Sequence, residues 1–134
     1  MPMSSEAISE WAGAGAPQLV AVEIQGNIVR ATPAGPSLGQ REAQIVGREI
    51  TEAIEKMGRR LRALVLDLSS VKTMSSLGLG MCIDVRNTAH HLSAGTVVLG
   101  LNRDLRDLFR MMKVNRLYTI ARNEKEVLRA LKRM

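Results

Sequence analysis

Residues Leu64–Gly80 read LVLDLSSVKTMSSLGLG. The run Leu64-Val65-Leu66, broken by Asp67 and resumed at Leu68, is short, apolar and closed by Ser69-Ser70. It predicts a buried strand over 61–68. From Leu77 onward the apolar spacing turns helical, and Gly78, Cys82, Val85, Ala89 and Leu92 fall on one stripe. Ser75-Ser76 therefore stands at a strand–loop–helix junction, with Ser76 the expected N-cap. A helix start carries unpaired amide protons and a partial positive charge, so it tolerates anions. A serine hydroxyl at that point is placed to carry or contact a phosphate.

Upstream of this stretch, apolar residues alternate over 18–24, Gly26-Asn27 signals a turn, and Ile28–Ala31 forms a second short run, which together predict a hairpin. Thr32–Gly39 holds two prolines and is expected to be a loop. Over Arg41–Met57 the residues Ala43, Val46, Ile50, Ala53, Ile54 and Met57 recur at helical spacing, and Gly58 supplies a stop. Gly47 inside that helix points to close packing on the sheet. Glu52 with Lys56, and Glu55 with Arg59, are spaced to pair on its wet face.

Downstream, Thr96–Leu101 is apolar enough for a parallel strand buried on both faces. A helix starts at Asn102 or Arg103, a last strand covers Leu117–Ile120, and Asn123 caps a final helix with Glu124 and Glu126 in its first turn. The order β–β–α–β–α–β–α–β–α predicts a single α/β domain over 18–134, a small mixed sheet of about five strands with about four packed helices. Residues 1–17 are small, polar and Gly/Ala-rich and are expected to form a flexible tail in which Trp11 is either free or packed back on the domain.

Composition narrows the function. Aromatics are only 2% of the 134 residues, so the core must be aliphatic, and their scarcity argues against stacking platforms for single-stranded nucleic acid. The single cysteine, Cys82, has no internal disulfide partner and is expected to be a buried thiol. No metal-ligand spacing is present, no cofactor is implied, and neither a Walker A loop nor a nucleophile elbow occurs. No apolar run approaches the ~20 residues of a membrane span, and the first residues lack a signal-peptide core, so the expectation is a cytoplasmic chain.

An enzyme needs a base near its nucleophile. His90 and His91 lie more than three turns along the same predicted helix, about 20 Å from Ser76, so no catalytic residue is assigned. The net charge of +6 resides from Asn102 onward, where ten Lys and Arg face four Asp and Glu. Arg103, Arg106, Arg110 and Lys113 recur at helical spacing there. They are either a solvated helix face, interspersed with Asp104 and Asp107, or a surface for nucleic acid, anionic membrane or an acidic protein.

The strings Asp67-Leu68-Ser69-Ser70-Val71 and Met74-Ser75-Ser76-Leu77-Gly78-Leu79-Gly80 resemble the signature of STAS domains, above all the bacterial anti-sigma-factor antagonists. The resemblance spans 18–131. It implies a small mixed sheet with helices about it, and a signalling role in transcription in place of catalysis. It places the phosphorylatable serine on Ser76, with Ser75 as the alternative, and a partner-binding surface on Asp67, Met74, Ser75, Ser76, Leu77 and Gly78. The family's usual Asp before the serine is Ser75 here, and its usual Ser or Thr after it is Leu77. The implied partners are an anti-sigma factor that is a serine kinase and, to reset the switch, a serine phosphatase. The alternatives are a constitutive STAS scaffold or lipid-transport subunit, and, further off, a basic nucleic-acid-binding domain. Asp67 is either a cap for its own loop or a charge shaping the kinase-facing surface.

Overall fold

The computed structural model describes residues 18–134. The expectations for residues 1–17, including the place of Trp11, lie outside the described residues.

Strands β1 (Val20–Gln25) and β2 (Ile28–Pro33) form the antiparallel hairpin, and β4 (Ala63–Asp67), β6 (Gly95–Leu99) and β7 (Thr119–Ala121) extend it in parallel. The order across this five-stranded sheet is β1-β2-β4-β6-β7, so the Leu64–Leu66 strand is central. Among the described residues four helices connect and close it: α1 (Gln40–Met57), α2 (Ser76–His91), α3 (Arg103–Met111) and α4 (Glu124–Lys132).

The two-residue period of the strands divides the core. Val29, Ala31, Leu64, Leu66 and Val98 point to one face, where α1, α2 and α3 pack with Ile50, Val85 and Phe109 fully buried. Val65, Val97, Leu99 and Ala121 point to the other, where α4 covers them with Val127 and Ala130. Parallel strands thus have both faces covered, as their unbroken apolar runs require.

Three details differ from expectation. Thr32–Gly39 is not wholly irregular: β3 (Ser37–Leu38) pairs in parallel with β5 (Thr73–Met74), a two-stranded ladder beside the main sheet. Gly47 does not meet the sheet, because a Cβ at that position would lie 2.9 Å from the Met81 side chain of α2. Neither Glu52 with Lys56 nor Glu55 with Arg59 closes to ion-pair distance; among the described residues both salt bridges are made by Arg30. Exposed i,i+4 pairs gain only about 0.3–0.5 kcal/mol and lose that against side-chain entropy, so helix spacing alone does not secure them.

Candidate functional site

The serine pair is fixed by a segment nearly forty residues upstream. Pro36 accepts hydrogen bonds from the amides of Lys72 (2.7 Å) and Thr73 (3.1 Å), and the Leu38 carbonyl accepts from the Ser75 amide at 3.1 Å. The hydroxyls of Ser37 and Thr73 meet at 3.0 Å. These bonds hold Ser75 extended, with φ −81° and ψ 171°, and its hydroxyl accepts from the Gly78 amide at 3.1 Å. Ser75, and not the expected Ser76, is therefore the N-cap of α2. Either serine could cap on chemistry alone; the Leu38 carbonyl decides between them.

Ser76 becomes the first helical residue. It is exposed, and its hydroxyl makes no hydrogen bond among the described residues. Leu77 beside it is 52% exposed, and Met74 is half-buried. Gly78 is buried: a methyl carbon there would sit well inside contact distance of the Leu38 carbonyl oxygen and 2.8 Å from Met74 Cγ. Met74, Ser75, Ser76, Leu77 and Gly78 thus come together as one small patch, polar at Ser76 and apolar around it.

Asp67 is placed differently. Its carboxylate accepts from the Ser69 amide at 3.0 Å and the Ser69 hydroxyl at 2.6 Å, and pairs with Arg30 of β2 at 2.8 Å. Arg30 also binds Glu124 at the start of α4. Asp67 therefore serves its own loop and the α4 face, and has no hydrogen bond to residues 74–78. Gly100 lets the loop close: its φ of 80° disfavours any side chain, and a Cβ there would strike the Ser69 backbone at 2.8 Å. Arg30 is not singled out by the sequence; its alternation with the buried Val29 along β2 sets it on the other face of the sheet, but nothing local names its partners.

Burial pushes the Asp67 carboxyl up, but the Ser69 and Arg30 hydrogen bonds outweigh it and hold the group below its ordinary value. The hydrogen bond from Arg30 likewise holds Glu124 low. A carboxylate depressed in the fold adds stability that is complete above its unfolded value of about 3.9 and is lost as pH falls through the folded value. Asp67→Asn is accordingly expected to lower stability at pH 7 by about 2 kcal/mol and to flatten the acid limb as pH falls below the ordinary carboxylate value of about 3.9. Urea midpoints measured along that limb check it; an unchanged acid limb would remove Asp67 from the account.

Elsewhere, Cys82 is buried and its thiol is pushed up to about 12 by burial. Its carbonyl accepts the Tyr118 hydroxyl at 2.6 Å. His90 and His91 are exposed in the last turn of an unbroken α2, about 20 Å from Ser76. Arg103, Arg106, Arg110 and Lys113 are all exposed, as are Asp104 and Asp107 between them. Among the described residues no group of three or more His, Cys, Asp or Glu could hold a metal, and no helix is long and apolar enough to cross a membrane.

The family model described as STAS domain matches residues 6–127 of the chain. No curated protein matches the chain. Among solved structures, a proposed anti-sigma factor antagonist of Thermotoga maritima superposes with a TM-score of 0.74 at 15% identity, covering 84% of this chain and 94% of its own. An anti-sigma factor antagonist from Mycobacterium paratuberculosis gives 0.72 at 17% identity, covering 84% and 92%. The Bacillus cell fate determinant SpoIIAA in its phosphorylated form gives 0.65 at 16% identity, covering 83% and 98%. At these identities the likeness is one of fold.

Proposed function

The chain belongs to the STAS domain family, and from that premise we propose that it is a protein-binding switch of the anti-sigma-factor antagonist kind, worked by phosphorylation of Ser76. The observation that carries the reading is the division between the two serines. The Ser75 hydroxyl is engaged as a helix cap, whereas that of Ser76 is exposed and free of hydrogen bonds among the described residues.

In this reading a cytoplasmic anti-sigma factor that is also a serine kinase covers the Met74–Leu77 patch and releases its sigma factor. The kinase then transfers the γ-phosphoryl group of ATP to Ser76 Oγ. The hydroxyl proton passes to the kinase, since neither histidine of this chain is within reach, and ADP departs. The product adds about −1.5 to −2 charges and three acceptor oxygens. The start of α2 accommodates that charge, so the fold persists while the surface changes sign. A serine phosphatase restores the hydroxyl, with water as nucleophile and inorganic phosphate as product. SpoIIAA, of like fold, is known in both phosphorylated and unphosphorylated forms.

Incubation with a candidate kinase and γ-labelled ATP, followed by site mapping, tests this. Label is expected on Ser76, lost in Ser76→Ala and retained in Ser75→Ala. Label on Ser75, or binding without any label, would replace the switch with a constitutive STAS scaffold or transport subunit.

A further inference from the structure

Next to the serine patch, α1 and α2 part to leave an open groove of about 410 Å³. It runs from Leu77, past Met81, to Glu52 and Asp84. Gly80 lies in its wall, and nothing in the fold calls for a glycine there. A Cβ built at Gly80 meets no atom within 4 Å, and its φ is not in the left-handed region. Glycine is the poorest helix former after proline, so an interior glycine with free space around it weakens α2 without a packing return. Gly78, two residues earlier, is different: a methyl there would collide with the Leu38 backbone.

We propose that this groove receives an apolar side chain of the kinase that acts on Ser76, and that Gly80 is kept small to leave it open. The inference rests on the switch reading and adds a second contact to it. Two observations select that occupant. Leu77 borders both Ser76 and the groove and is 52% exposed, so a protein that covers the serine extends over the groove. The far end is acidic in a chain of net charge +6: Glu52 and Asp84 outnumber Arg48, and neither carboxylate has an ion-pair partner among the described residues. The apolar side chain is therefore accompanied by a basic one, which meets these carboxylates. A matching partner of this charge would also steer its own approach.

The test uses the full chain and a purified candidate kinase, the same one used for labelling Ser76 above. Gly80→Ala is expected to raise Tm by about 2–4 °C, because the helix gains propensity where space is free. Gly80→Leu, which fills the groove, is expected to retain Tm yet weaken kinase binding at least thirtyfold. Asp84→Lys is expected to weaken it about tenfold, mostly through the association rate. Full-strength binding by Gly80→Leu overturns the proposal while leaving the switch intact. A kinase that binds neither wild type nor variant overturns the switch reading itself and the groove assignment with it. If wild type self-associates in sedimentation and Gly80→Leu does not, the occupant is a second copy, and the kinase assignment falls.

Discussion

Ser76→Asp is expected to leave the far-ultraviolet circular dichroism unchanged and to weaken kinase binding by a hundredfold or more. The two halves of that result have separate causes. A carboxylate at the first helical residue meets the positive end of α2, so the fold gains a few tenths of a kcal/mol or stays level. A partner seated on Leu77 and Met74 must instead bury that charge unpaired, which costs several kcal/mol, and each 1.4 kcal/mol is about tenfold in affinity. Ser76→Asn, of equal size and no charge, separates sterics from electrostatics and should lose far less. Equal losses in Asp and Asn would mean that shape and not charge releases the partner. Undiminished binding by Ser76→Asp would end the switch reading.

Gly78→Ala is expected to destabilise the domain by about 2–3 kcal/mol, lowering Tm by roughly 10 °C. Helix propensity alone predicts the opposite, a gain of about 1 kcal/mol. Sterics win because the added methyl meets the Leu38 carbonyl, which is backbone and already accepts the Ser75 amide, and so has little freedom to move. The start of α2 must then lift away from β3, taking the Ser75 cap with it. Thermal melts of Gly78→Ala and Gly80→Ala side by side are the cleanest measurement, since the two changes are chemically identical and opposite in expected sign. A stabilised Gly78→Ala would show that the β3 contact is loose.

These contrasts mark where local sequence stops being informative. The central strand, α1, α2 and the Asn123 cap were readable because each leaves a periodic or capping signal within a few residues; Asn123 Oδ1 does accept the Glu126 amide at 2.9 Å. The β3–β5 ladder left none, since two residues are too few to show a period and the paired residues, Ser37 with Thr73 and Leu38 with Met74, lie 36 positions apart. The serine register failed for the same reason. Ser75 and Ser76 are equal as caps in isolation, and a carbonyl 37 positions away separates them. Arg30 broke the apolar run of its strand and belonged to the opposite face from Val29, but Asp67 and Glu124 reach it only once β2, β4 and α4 are assembled.

The dependence of Ser75 on Pro36 and Leu38 has a kinetic meaning. Closing a loop of this length costs entropy before any contact returns it, so the serine geometry is expected to arise late, with the parallel strands, and to be absent from a fragment that lacks Pro36 and Leu38. A peptide copying residues 64–80 would carry the full signature without its shape. Whatever reads Ser76 by shape reads the completed fold, and a nascent or unfolded chain is invisible to it: the address is written in sequence but legible only after folding.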